Sequence, residues 1–129
     1  MKRYAAQYVL GFQSGILSRQ TMTFDDRNIF VSHSPMEGET ASTFFFNGIL
    51  CPPFRLIGKN QMLTPAEATE LLRQKYRENG SRMLTEYLSA YVEMSAWTAG
   101  AKNGLWCIEM LDLKTLQLQE NTVVYSVLP

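Results

Sequence analysis

The hydrophobic period of this chain changes twice, and the first change is marked by the tetrapeptide Thr64-Pro65-Ala66-Glu67. A Thr followed three residues later by Glu can form a reciprocal capping box. A Pro at the first helical position lacks an N–H that would have no helical partner there anyway. A helix must start here. Beyond it Ala68, Leu71, Leu72 and Tyr76 recur at helical spacing, with Glu67, Glu70, Arg73, Lys75 and Arg77 mostly opposite, and Asn79-Gly80 supplies a stop. A second helix reads from Ser81 to about Thr98, with the stripe Leu84, Tyr87, Leu88, Tyr91, Val92 and Ser95, ending before Gly100. The expectation for 55–102 is therefore a helical hairpin.

The segments on either side have strand character. Residues 4–10 are rich in Tyr, Val and Leu, and residues 16–24 roughly alternate apolar and polar. Asp25-Asp26-Arg27-Asn28 makes a turn, since Asp and Asn tolerate left-handed backbone angles, and Ile29–His33 follows as a short strand. A polar loop, 34–41, leads to a fourth strand region, 43–51, which Pro52-Pro53 ends because proline donates no ladder hydrogen bond. After the helices, 105–111 and 122–128 return to strand, with a polar stretch between them holding a turn and a short strand. Strands, then helices, then strands is the order of an α+β domain with both chain ends in one sheet.

At 129 residues the chain is one domain of ordinary size. Lys plus Arg equals Asp plus Glu, 12 each, and no basic run exceeds Lys2-Arg3, so no field recruits nucleic acid or an anionic membrane. No apolar stretch approaches the roughly 18 to 20 residues of a membrane span. Lys2-Arg3 before Tyr4–Leu10 does not make a signal peptide, because Gln7, Gln13 and Arg19 interrupt the apolar region. Cys51 and Cys107 could pair across strands, but two thiols in a chain with no export signal are expected to be buried and reduced. The expected location is cytoplasmic.

The two β segments, taken in order, resemble the two ends of an amidohydrolase-superfamily enzyme. Thr21–Ile29 looks like that family's strand, turn and strand. Thr43 to Phe54, ending Phe-Asn-Gly-Ile-Leu-Cys-Pro-Pro-Phe, looks like its lead-in to the catalytic barrel, and Asn103–Asp112 with the residues after it resembles its closing strands. The likeness covers roughly 2–54 and 103–128. It implies a small β-sandwich built from both chain ends, with a metal-binding barrel normally inserted between them.

The departures from the family decide what the resemblance can imply. Gly58 and Asn60 stand where its first two metal-binding histidines would be, and Pro53 replaces the Gly of its Pro-Gly-Phe. A barrel of this kind takes roughly 250 residues, and the segment here holds only the helical pair. No catalytic, cofactor-binding or metal-binding residue is carried over.

Among residues with chemistry of their own, His33 is the single histidine, at a strand end beside Ser32 and Ser34. Adjacent strand residues point to opposite faces, so the three are not a triad. Asp25 and Asp26 read as turn residues, Glu37 and Glu39 as solvated loop residues, and no phosphate-loop pattern occurs among the glycines. Phe44-Phe45-Phe46 puts rings on both faces of one strand, while Tyr87, Tyr91 and Trp97, with Met83 and Met94, add bulk to the second helix. Losing a barrel uncovers apolar surface, which the helices, a second copy or another protein must cover. The reading that results is a non-catalytic binding or assembly module, expected to act as a homodimer or with a protein partner. The alternatives are a small enzyme of unrelated chemistry, with a pocket between sheet and helices, and a subunit of a separately encoded barrel protein.

Overall fold

The computed structural model describes residues 1–37, 42–80 and 82–129. The loop residue Glu39 and the expected helix start at Ser81 lie outside these. Six strands, β1 (Lys2–Phe12), β2 (Gly15–Phe24), β3 (Phe30–Pro35), β4 (Thr43–Cys51), β7 (Leu105–Glu109) and β8 (Val123–Leu128), form one sheet in the order β3-β2-β1-β4-β7-β8. Strands from both chain ends thus share a sheet, and the domain is α+β. Only β1 and β4 run parallel; the other neighbours are antiparallel. A second, two-stranded sheet pairs β5 (Phe54–Leu56) with β6 (Val92–Met94). Between these two lie α1 (Pro65–Asn79) and α2 (Leu84–Tyr91).

The helix start read from the sequence forms as expected. Thr64 Oγ1 accepts the Glu67 amide at 3.1 Å, and Glu67 Oε1 accepts the Thr64 amide at 2.9 Å. At the other end the Gly80 amide bonds the Tyr76 carbonyl with φ +76, a backbone angle that favours glycine.

The second helix is shorter than its stripe suggested. It ends at Tyr91, and Val92–Met94 leaves it to pair with Phe54–Leu56. Tyr91, Val92 and Ser95 fit a helical stripe, yet Val92 is β-branched, and β5 offers its backbone a ladder that further helix would forgo. Trp97, expected on the helix, instead lies in the irregular segment beyond β6. Its indole N–H donates to the Leu10 carbonyl at 2.7 Å, and its ring packs on Phe24 and Phe30. Strand β5 itself, directly after Pro52-Pro53, was not expected.

The sheet buries apolar side chains on both faces. On one face Leu10, Ile49, Cys51, Trp106, Ile108 and Val124 meet Phe54 and the inner sides of the two helices (Ala68, Leu72, Leu84, Leu88). On the other, Tyr4, Val9, Met22, Phe24, Leu50, Cys107 and Leu128 gather around Trp97. The register of β1 against β4 slips by one residue between Ala6 and Tyr8, where β4 carries the extra residue near Asn47-Gly48. Gly48 belongs at this crease. A Cβ there would run into the Ile108 carbonyl oxygen and come within 2.9 Å of the Glu109 side chain.

Candidate functional site

The first core face is only half covered. Towards the N-terminal half of β1 that face carries Arg3 and Ala5, which alternate with the core residues Tyr4 and Ala6. Ala5 lies opposite Thr21 on β2 and Phe45 on β4, and Thr21 in turn lies opposite Ser34 on β3. One row across the sheet therefore reads Ser34, Thr21, Ala5, Phe45. The next row places Arg3 between Thr23 and Thr43. Because Ala5 is small and its neighbours are tall, the row forms the floor of an open concavity of about 1050 Å³. Arg3, Arg19 and Phe45 also line it.

Arg19 reaches the site through unusual backbone geometry. Its φ is +52, inside the left-handed region that few non-glycine residues adopt, and its carbonyl accepts the Met36 amide at 2.8 Å. Neither the Arg3 nor the Arg19 guanidinium has an ion-pair or hydrogen-bond partner among the described residues, whereas those of Arg55, Arg73 and Arg77 do. Phe45 is 56% exposed. Among the described residues Glu37 is the one acid lining the concavity. Two guanidiniums, hydroxyls from Thr21, Thr23 and Ser34, and an open ring are groups that hold a ligand by charge, hydrogen bonding and stacking.

The three consecutive phenylalanines do split between faces. Phe45 faces the concavity, while Phe44 stacks on Tyr4 at 5.8 Å and Phe46 meets Tyr4 at 6.0 Å and Tyr125 at 6.4 Å. Beside this aromatic group the Tyr125 hydroxyl donates to Glu109 Oε1 at 2.6 Å, with Cys107 Sγ 3.9 Å from the same oxygen. Burial, chiefly, pushes the Cys107 thiol up to about 12 and raises Tyr125, to which the Glu109 bond adds. Burial thus favours the protonated form of both, and the Cys107 side chain is packed in the second core. Cys51 is likewise buried, with its thiol raised by burial.

Both cysteines are free. They lie on adjacent strands, but Leu50 rather than Cys51 is the register partner of Cys107, and the two thiols enter opposite cores. His33 lies exposed on the edge strand β3, with Nδ1 2.9 Å from Gln20 Oε1 and its ring on Phe12. Asp25 does the work of a turn residue. Its carboxylate accepts the Ile29 and Arg27 amides, and the Ile29 bond is the main cause of a pKa below the usual carboxylate range. Gly58, where a family histidine would fall, sits in the turn after β5 with φ +80. Among the described residues no group of three or more His, Cys, Asp and Glu is placed to hold a metal ion.

A second concavity, about 340 Å³, lies between the β1–β2 turn and α2, lined by Leu10, Phe12, Ile16, Leu88 and Val92. Among the described residues it has no ionisable side chain in its lining. No helix of the described residues is long and apolar enough to cross a membrane. Neither a family model, nor a curated protein, nor a solved structure matches the chain. The amidohydrolase resemblance therefore rests on its sequence motifs alone.

The concavity was not found from the sequence. Its members come from four strands, and only the cross-strand register brings them together. The available signal was the pairing of Arg3 and Arg19 with the β-type pattern around them, two cations on strands rather than in loops.

Proposed function

We propose that the chain is a non-catalytic binding or assembly module that acts as a homodimer, related to the small β-domain of the amidohydrolases and without their barrel. The observation that carries this reading is the edge of β4. Phe44, Phe45 and Phe46 pair with Tyr4, Ala5 and Ala6 of β1, but pairing with β7 on the other side begins only at Ile49. Phe44, on this half-paired stretch, is 61% exposed. An apolar strand edge of this kind is a template for another strand.

A second copy fits this edge. Antiparallel pairing of β4 with itself about a two-fold axis is self-complementary, places Phe44 near its symmetry mate, and brings no charged side chains of 44–46 into opposition. The non-catalytic part is supported by Gly58 and Asn60 at the family's ligand positions and by thiols whose protonated form burial favours. Two buried, unpaired cysteines suit a reducing compartment, and a cytoplasmic location is part of the proposal.

Light scattering at micromolar concentration tests the dimer. The expected mass is twice the 14.7 kDa of the chain, falling to the single-chain mass in Phe44→Lys. A wild-type monomer overturns it. Metal analysis tests the rest, since one stoichiometric zinc in purified protein is incompatible with a non-catalytic relative of a metal hydrolase.

A further inference from the structure

The concavity over Ala5 has a chemistry that no part of the fold requires. Two guanidiniums on a strand face could have been neutralised by neighbouring carboxylates, as Arg55 is by Glu93 and Arg77 by Glu70. Instead the Arg3 and Arg19 guanidiniums have no ion-pair or hydrogen-bond partner among the described residues, and they line the concavity together with the small Ala5, hydroxyls and an exposed ring. We propose that this concavity binds a small organic anion with a flat apolar body. Its carboxylate or phosphate is held by Arg3 and Arg19 and its ring lies against Phe45. The proposal gives a ligand class to the binding-module reading and rests on it, but does not depend on the dimer.

Geometry sets the ligand's extent. Arg3 pairs with Thr23, while Arg19 lies between Ser18 and Gln20, the partners of Tyr8 and Ala6. Along β1 the two arginines are thus about four residues apart, on the order of 13 Å at strand rise. Two arginine side chains are long enough to reach across that separation to one anionic group between them, or to two groups on one molecule. Arginine presents a planar fork that matches carboxylate and phosphate oxygens, and hydroxyls of Thr21, Thr23 and Ser34 can take the remaining lone pairs. The ring of Phe45, on the Ala5 row, offers a stacking surface between the charges. Glu37 in the lining opposes the anion, so a ligand bearing a donor towards it gains selectivity.

Calorimetric titration with three matched probes tests this: 1-naphthyl phosphate, 1-naphthoate and neutral 1-naphthol. The expected result is binding of one or both anions, at millimolar affinity or better, and a signal from naphthol at least tenfold weaker. Which anion binds more tightly separates a phosphorylated from a carboxylate ligand. Arg3→Gln with Arg19→Gln is expected to weaken the anion at least tenfold, and Phe45→Ser roughly threefold to tenfold, with the thermal midpoint unchanged. Arg55→Gln, outside the concavity, is expected to leave binding unchanged.

Amide shifts of Ala5 and Thr21 in the wild-type protein locate the probe without any variant. No binding by either anion, or equal binding in the double arginine variant, overturns the site. Release of fluorescent naphthol from the phosphate probe by the wild type, abolished in the double variant, keeps the site and overturns the non-catalytic reading. A dimer that binds neither anion does the reverse.

Discussion

A single hydroxyl, that of Thr69 on α1, closes the outer edge of β8 at Val124. Its Oγ1 donates to the Val124 carbonyl at 3.1 Å and accepts the Val124 amide at 2.9 Å. Arg73, one turn further, donates to the Thr122 carbonyl at 3.0 Å. The helix thereby does for β8 what an additional strand would do. Covering an edge is one of the ways in which sheets avoid pairing with other chains. The stretch Phe44–Phe46 pairs with no strand on its other side among the described strands and helices, and that contrast is why it is proposed as the interface.

Thr69→Val keeps the shape of the side chain and removes both hydrogen bonds. It is expected to cost about 1–3 kcal/mol, because two backbone groups of Val124 lose their partner. Thr69→Ser should recover most of that loss. Urea unfolding of the three proteins checks the order.

Gly48→Ala places a methyl against the Ile108 carbonyl oxygen and beside Glu109 and Cys107. The backbones of β4 and β7 must part to admit it, at an expected cost of about 1–3 kcal/mol, comparable to overpacking a core. Thermal unfolding should show a clear drop in midpoint. A midpoint equal to the wild type's would mean that the crease is looser than described.

The whole of α1 was legible in the sequence, and its neighbour only in part. Thr64, Glu67 and Gly80 carry local signals that act within one helical turn, and local signals survive into the fold unchanged. Val92 and Trp97 do not: their places depend on Leu56 of β5 and on the Leu10 carbonyl, partners 36 and 87 residues away. The concavity was illegible for the same reason, since Arg3, Arg19 and Phe45 meet only through register. The alternation of Phe44 to Phe46 between faces was legible, because a strand's period needs no partner to be known.

Trp97→Phe keeps the ring in the second core and removes the indole N–H from the Leu10 carbonyl. The buried carbonyl is left without that donor, so a loss of about 1–2 kcal/mol is expected. Trp97→Ala, which also empties the space beside Phe24 and Phe30, should cost about 3–5 kcal/mol. Chemical denaturation of both variants measures the difference.

Alkaline pH should destabilise the protein. The Cys107 thiol is raised from 9.0 to about 12 in the fold, and Cys51 and Tyr125 are raised as well, all three chiefly by burial. Groups raised in this direction favour the folded state fully below their unfolded pKa. Between about 9 and 12 the unfolded chain has released protons that the folded one retains, so stability falls as pH rises. Stability measured against pH should decline across that window, with a shallower slope in Cys107→Ala. At pH 8 neither thiol should react with iodoacetamide until denaturant is added.

Hydrogen exchange along Phe44–Phe46 reads out the proposed pairing of this β4 edge with a second copy. If the edge is paired, exchange of its outward amides slows as protein concentration rises from the micromolar to the millimolar range. Phe44→Lys removes that dependence. Exchange at the outward-facing amides of this stretch that stays fast and independent of concentration would show that no second copy pairs here.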